Sequence, residues 1–247
     1  MKNEVEAILP FAESDTPKSK QIEIMFDKIA VHYDLLNRLM SFGLDKYWRK
    51  NSILSLADIA PKQILDIATG TGDLAIEAYK LLHPDMILGV DISANMLEIG
   101  RQKVFDAGLS DNIKFDIQNC ANLQIPDNSF DAAIVAFGVR NFESLDTCLR
   151  EILRVLRPSG RLMILELSSP TAFPFKQGYA LYTKLIPLLG KLISRNQPAY
   201  KYLPESIKHF PEPDAMKELM TQSGFVNVLH KAYTFGVCTM FTGDKQK

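Results

Sequence analysis

The residues best suited to chemistry in this chain of 247 are two aspartates and two glycines. Gly70 and Gly72 stand in the run Ile64-Leu65-Asp66-Ile67-Ala68-Thr69-Gly70-Thr71-Gly72-Asp73-Leu74, with Asp66 shortly before them. Asp91 closes the apolar run Ile87-Leu88-Gly89-Val90. Glycines take positive φ and let a ligand approach the backbone. A helix that begins at such a turn aims its free N–H groups and positive dipole end into the same crevice. Such a turn holds the polar groups of a ligand.

Gly70-x-Gly72-x-x-Ala75 also fits the relaxed dinucleotide fingerprint, so the turn alone does not name its ligand. A carboxylate at Asp91 suits a ribose diol, because it accepts hydrogen bonds from both hydroxyls. Asp66 discriminates further. Beside a phosphate cradle it would repel a pyrophosphate, whereas it attracts the sulfonium or ammonium of S-adenosylmethionine. No Tyr-x-x-x-Lys pair occurs, which removes one common dehydrogenase chemistry. S-adenosylmethionine is the cofactor expected, and an NAD(P)-dependent oxidoreductase is the rival.

The elements that must position these residues follow from the periodicity. Strands are expected at 63–67, 86–91, 113–117, 130–137 and 161–167, separated by helices at 73–82, 93–107 (N-capped by Ser93) and 144–156. That alternation predicts an α/β fold with a mostly parallel sheet and helices on both faces. A helix at 214–223 and a closing antiparallel hairpin of 225–233 with 237–242 bring the sheet to seven strands. In such a sheet the ligand lies beyond the carboxyl ends of the strands, at Asp66, Asp91, Asn119, Phe137 and Glu166. Residues 1–19 read as a flexible tail. Residues 20–60 read as a helical cap, with Ile22, Met25, Phe26, Ile29, Tyr33, Leu36 and Met40 at helical spacing, ahead of a cofactor-binding domain at 61–247.

The alternation breaks between about 170 and 210, where Phe173, Phe175, Tyr179, Leu181, Tyr182, Leu185, Leu188 and Leu192 are interleaved with Lys176, Lys184, Lys191 and Arg195. This insertion is expected to be a helical lid that admits a hydrophobic substrate or rests on a bilayer; a pair of ordinary core helices is the alternative. The formal net charge of −1 gives no electrostatic reason to expect nucleic acid. Three cysteines without paired spacing and four scattered histidines suggest neither disulfides nor a metal site. No signal peptide or membrane-spanning run is seen, so a cytoplasmic protein is expected.

Taken together the residues resemble the class I S-adenosylmethionine-dependent methyltransferases, with a Rossmann-like fold. The class is marked by Leu65 to Asp73, by Val90-Asp91-Ile92-Ser93 and by Leu156-Arg157-Pro158-Ser159-Gly160-Arg161. Within it the chain resembles the quinone-biosynthesis C-methyltransferases, which act on demethylmenaquinol or a ubiquinol precursor. That narrower likeness rests on Met25-Phe26-Asp27-Lys28-Ile29-Ala30, Tyr33-Asp34-Leu35-Leu36-Asn37, Ser41-Phe42-Gly43 with Trp48-Arg49, and Ala136-Phe137-Gly138-Val139-Arg140-Asn141.

The resemblance implies that Thr71 lies under the methionine part of the cofactor, that Asp91 takes the ribose hydroxyls and that Asn119 and Cys120 border the adenine. Cys120 departs from the family's small residue, and Ala136 stands where members often carry serine. Arg140 is the expected catalytic residue, stabilising a quinol phenolate or orienting a water; a structural ion pair with Asp34 or Glu143 is its alternative role. Tyr33, His32 and Glu166 are candidates for proton handling. The expected reaction is C-methylation of demethylmenaquinol, with a 2-methoxy-6-polyprenyl-1,4-benzoquinol, another small lipid or phenol, or a binding module without turnover as alternatives. A polyprenylated quinol is the partner implied; peripheral membrane contact and a homodimer stay open.

Overall fold

The computed structural model describes residues 3–11, 14–179, 181–183 and 197–247. Its centre is a set of strands apolar on both sides. Ile64, Ala132, Ile134, Met163 and Leu165 point into one core, while Leu65, Ile67, Ala133, Val135, Leu162 and Ile164 point into the other. Side chains alternate across a strand, so a continuous apolar run needs cover on both faces. The strands are β1 (Gln63–Ile67), β2 (Met86–Asp91), β3 (Ile113–Ile117), β4 (Phe130–Ala136), β5 (Leu156–Leu167), β6 (Val226–Tyr233) and β7 (Cys238–Asp244). They form one sheet in the order β3-β2-β1-β4-β5-β7-β6. β7 alone runs against the others, antiparallel to both β5 and β6. The connections leave β1 in one direction towards β2 and β3 and in the other towards β4 and β5. That change of direction opens a crevice at the carboxyl ends of β1 and β4.

On one face α3 (Leu44–Ile53) and α4 (Asp73–Leu82) bury Trp48, Ile53, Leu74 and Ala75, joined by Val104 of α5 (Ala94–Asp106). On the other, α6 (Leu145–Val155) and a C-terminal helix, Pro213–Gln222, bury Leu149, Ile152, Met216 and Met220. Above the crevice, α1 (Lys18–Ile29) sets Ile22, Met25 and Ile29 against Ala199 and Tyr202 of α7 (Gln197–Lys208).

Two boundaries differ from those expected. The helical run of the cap is broken by a tight 3-10 turn at Ala30–His32 before α2 (Tyr33–Met40), and again at Gly43 with φ +77°. These breaks bend the cap around the crevice instead of letting it run straight past. β5 begins at Leu156, earlier than the expected 161, because Phe130 pairs with Leu156 and Ala132 with Arg161 across a bulge that absorbs Pro158 to Gly160. Near the N-terminus Val5 is buried and Glu6 accepts the Leu145 N–H at 2.8 Å, fastening the turn Glu4–Ala7 to the body. Of the apolar insertion, the part at 184–196 lies outside the described residues.

Candidate active site

The turn from β1 into α4 carries positive φ at Ala68 (+52°), Gly70 (+56°) and Gly72 (+76°). A Cβ on Gly72 would meet the Phe115 ring at 2.7 Å, so a side chain there would have to push that ring aside as well as adopt a left-handed backbone. Its part is the turn itself. Gly70 donates its backbone N–H to Asp91 Oδ2 at 2.9 Å, and the Ser93 N–H reaches Asp91 Oδ1 at 2.9 Å. Each Asp91 oxygen is thereby aimed while keeping a lone pair for a further donor. Burial raises the Asp91 carboxyl above its ordinary value, against the pull of these backbone donors.

Asp66 is 1% exposed. Its Oδ2 accepts the Thr69 hydroxyl at 2.5 Å, and its Oδ1 has no partner. Burial pushes this carboxyl up to about 7. A buried carboxylate oxygen without a donor is costly in the ligand-free protein and matches a ligand that brings a cationic amine. The donor set therefore fits S-adenosylmethionine, which brings both a cationic amine and a ribose diol.

These groups line two adjoining spaces, a cleft of about 730 Å³ that includes Asp91, Asn119 and Cys120 and a smaller one of about 380 Å³ that includes Asp66 and Thr71. Tyr33, Gly70, Ala136 and Phe137 are common to both, so they form one acidic cleft. Asn119 is exposed at its lip, with its side-chain oxygen accepting the Ala121 N–H at 2.9 Å. Cys120 is buried, and desolvation holds its thiol well above the ordinary value, so it serves as an apolar wall. Thr71 does not offer its hydroxyl to the cleft: it donates to Asp34 Oδ1 at 2.6 Å, and Asp34 is also paired with Lys103. That tie between cap and turn was not read from the sequence, since Asp34 and Lys103 are charged residues on helices and resemble any solvated face. Asp27 makes a second tie, accepting the Ser93 hydroxyl at 2.6 Å.

Phe137, φ +59°, also lines a separate cavity of about 550 Å³ with Asn37, Trp48, Arg140, Tyr179 and Tyr182. Arg140 sits on the 3-10 turn Val139–Asn141 that follows β4 and is 6% exposed. Its Nη1 donates to Glu166 Oε1 at 2.5 Å and to the Phe137 carbonyl at 2.7 Å, and its backbone N–H reaches Glu166 Oε2 at 3.1 Å. Its Nε–H has no partner. The ion pair offered as Arg140's alternative role, with Asp34 or Glu143, is not found; its carboxylate partner is Glu166. Asp34 is held by Thr71 and Lys103, and Glu143 accepts the Ser19 N–H at 3.3 Å.

The three proton-handling candidates separate clearly. His32 is exposed and lines neither space. Glu166 is wholly buried and also accepts the Leu167 N–H at 2.8 Å, so it does not reach the cavity. Tyr33 lines the acidic cleft, and burial raises its phenol, which keeps it a neutral donor.

A doubly wound sheet with an acidic, glycine-turned cleft at its switch point is the fold of the S-adenosylmethionine-dependent methyltransferases. A solved SAM-dependent methyltransferase from Thermotoga maritima shares it with a TM-score of 0.63 at 17% identity, over 91% of this chain and 100% of that one. The chain belongs to the ubiE/COQ5 methyltransferase family, whose model matches residues 14–245. It is 48% identical to a demethylmenaquinone methyltransferase of Bacteroides fragilis over 97% of this chain and 98% of that protein. It is 42% identical to a ubiquinone/menaquinone biosynthesis C-methyltransferase of Geobacter sulfurreducens over 93% and 90% of the two chains.

Proposed function

We propose that the chain methylates a ring carbon of demethylmenaquinol. The observation that carries this reading is Phe137, which stands between an acidic cleft fitted to S-adenosylmethionine and an aromatic cavity walled by a buried guanidinium. When bound, the cofactor supplies a methyl group on a positively charged sulfur with the leaving group already built in. Asp66 and Asp91 hold its amine and ribose, the Gly70–Thr71 turn supports its methionine part, and Asn119 and Cys120 border its adenine.

Trp48, Phe137, Leu167 and Tyr179 offer a flat apolar space to a two-ring quinol and exclude water from it. Arg140 meets a quinol oxygen there and stabilises the phenolate left once that hydroxyl has given its proton to bulk water, which makes the neighbouring carbon electron-rich. After the methyl is bonded, that carbon's hydrogen leaves as a proton, the phenol is restored and one proton is released overall. Always protonated, it orients and stabilises but removes no proton. Tyr33 donates from the cofactor side. An outer groove shares Tyr179 and Ile207 with the aromatic cavity and receives the prenyl chain. Phe42, Phe173 and Phe235 are 80%, 81% and 68% exposed, and Lys176, Lys201 and Lys208 line the groove. Exposed aromatic rings and lysines suit peripheral contact with an anionic bilayer. No described helix is long and apolar enough to cross a membrane.

The test is methyl transfer from labelled S-adenosylmethionine to chemically reduced demethylmenaquinol and, in parallel, to 2-methoxy-6-polyprenyl-1,4-benzoquinol. Product from the naphthoquinol alone supports the reading as stated, and product from both widens it to two quinone pathways. No product from either, with cofactor binding measured, would discard the quinol substrate.

A further inference from the structure

We infer that Glu166 is a positioning residue of the reaction: it fixes the Arg140 guanidinium in the wall of the aromatic cavity. The inference rests on the reading of that cavity as the quinol site. Arg140 follows β4 and Glu166 lies near the end of β5, strands joined in register by the pairs Val135 with Ile164 and Ala136 with Leu165. The carboxylate thus reaches Arg140 from the neighbouring strand and grips it twice, at Nη1 and at the backbone N–H. With the Phe137 carbonyl also on Nη1, one end of the guanidinium is fully engaged.

The other end is not. Nε–H is buried without an acceptor while the side chain lines the cavity. That buried donor costs free energy until an acceptor arrives, and unlike a group sealed in the core it belongs to a side chain that an occupant of the cavity can reach. A quinol oxygen is an acceptor of the right kind. Glu166 itself cannot meet the quinol: it is fully buried, absent from the cavity wall, and engaged by the Arg140 N–H, Arg140 Nη1 and Leu167 N–H. It therefore acts through Arg140, by setting the plane of the guanidinium and compensating its charge where water does not.

The experiment is a double-mutant cycle on the full chain: Glu166→Gln, Arg140→Gln and the two together, which replaces the buried pair by neutral amides. Steady-state kinetics with reduced demethylmenaquinol, cofactor titration by calorimetry and thermal unfolding are read on each. Glu166→Gln is expected to lower kcat about 30-fold and to leave the cofactor KM and Kd within about twofold. In the Arg140→Gln background the same change is expected to lower kcat by no more than about twofold. A kcat unchanged by Glu166→Gln, an equal loss in both backgrounds, or a loss that appears in cofactor binding would overturn the inference. Should Glu166→Gln fail to fold, Glu166→Asp carries the same cycle, since it keeps the charge but draws it back by one methylene. If the unaltered protein methylates neither quinol, the reading of the cavity fails and takes this inference with it; activity with a null cycle removes the inference alone.

Discussion

The acidic cleft and the aromatic cavity meet at Phe137 but are built in different ways. The cleft depends on backbone geometry over short stretches: three positive φ values within β1 to α4, and two N–H groups that hold Asp91. The cavity is assembled from side chains on α2, α3, the turn after β4, the end of β5, residues 179 and 182, and α7. A site formed by main chain tolerates changes in the side chains around it and fails when the turn or an anchoring carboxylate is lost. A site formed by side chains from distant segments can be retuned one residue at a time, with the cofactor half unaffected.

Four experiments press on that contrast. Asp91→Ala leaves the Gly70 and Ser93 N–H groups without their acceptor and removes the ribose carboxylate, so S-adenosylmethionine should bind about 100-fold more weakly by calorimetry. A loss under about threefold would show that the cleft does not depend on that anchor. On the cavity side, Phe173→Asp combined with Leu181→Asp places charge on exposed apolar positions of the segment that gives Lys176, Tyr179 and Thr183 to the groove. It should raise KM for long-tailed quinols by about tenfold and spare short-tailed ones, with cofactor affinity unchanged. Equal effects on both tail lengths would separate this surface from the tail.

Asp66 gives a proton signature. Its carboxyl lies at about 7 in the folded, ligand-free protein against an ordinary 3.8, so the folded state holds the proton more tightly than the unfolded chain does. This group thus stabilises the fold as pH falls from 7 toward 3.8, and that contribution is lost as pH rises through 7. A cation bound beside the carboxylate reverses the preference. S-adenosylmethionine binding near pH 7 should release a fraction of a proton, measured by calorimetry in buffers of different ionisation enthalpy, and Asp66→Asn should abolish that release. The smallest effect is expected from Cys120→Ala, which removes an inert wall atom and should change cofactor affinity by less than about twofold. A larger change would mean that the cleft is sensitive to side chains after all.

The same contrast explains what could be read from the residues alone. The turn at Gly70, the strand-end carboxylates and the seven-stranded sheet follow from local periodicity and glycine placement, which act over a few neighbouring positions. Arg140 was singled out by the family resemblance, three positions beyond the expected end of the fourth strand. Its partner was not recognised as such, because Glu166 is 26 positions away and the pairing depends on β4 lying beside β5. The tie from Asp34 to Thr71 and Lys103 was hidden likewise, since it joins two helices and a turn through side chains that carry no spacing signal. Tyr179 and Tyr182 were seen as part of an apolar insertion, but only tertiary structure sets them opposite Phe137.

The placement of β7 bears on how the chain folds. Although it follows β6 in sequence, it is inserted between β5 and β6, completing the hydrogen bonding of β5 and leaving β6 as the outer edge. Its partner β5 lies across the whole 168–237 stretch, so this pairing closes a long loop and is slow to form compared with the βαβ units that precede it. Until it forms, β5 is a bare edge, and Glu166, which registers with Thr239, lies on that edge. A nascent chain can therefore hold a finished cofactor turn well before the strand that bears the Arg140 counter-ion is sealed. Shortening the protein by its last strand would open the sheet in its interior, and the loss would fall first on the quinol side.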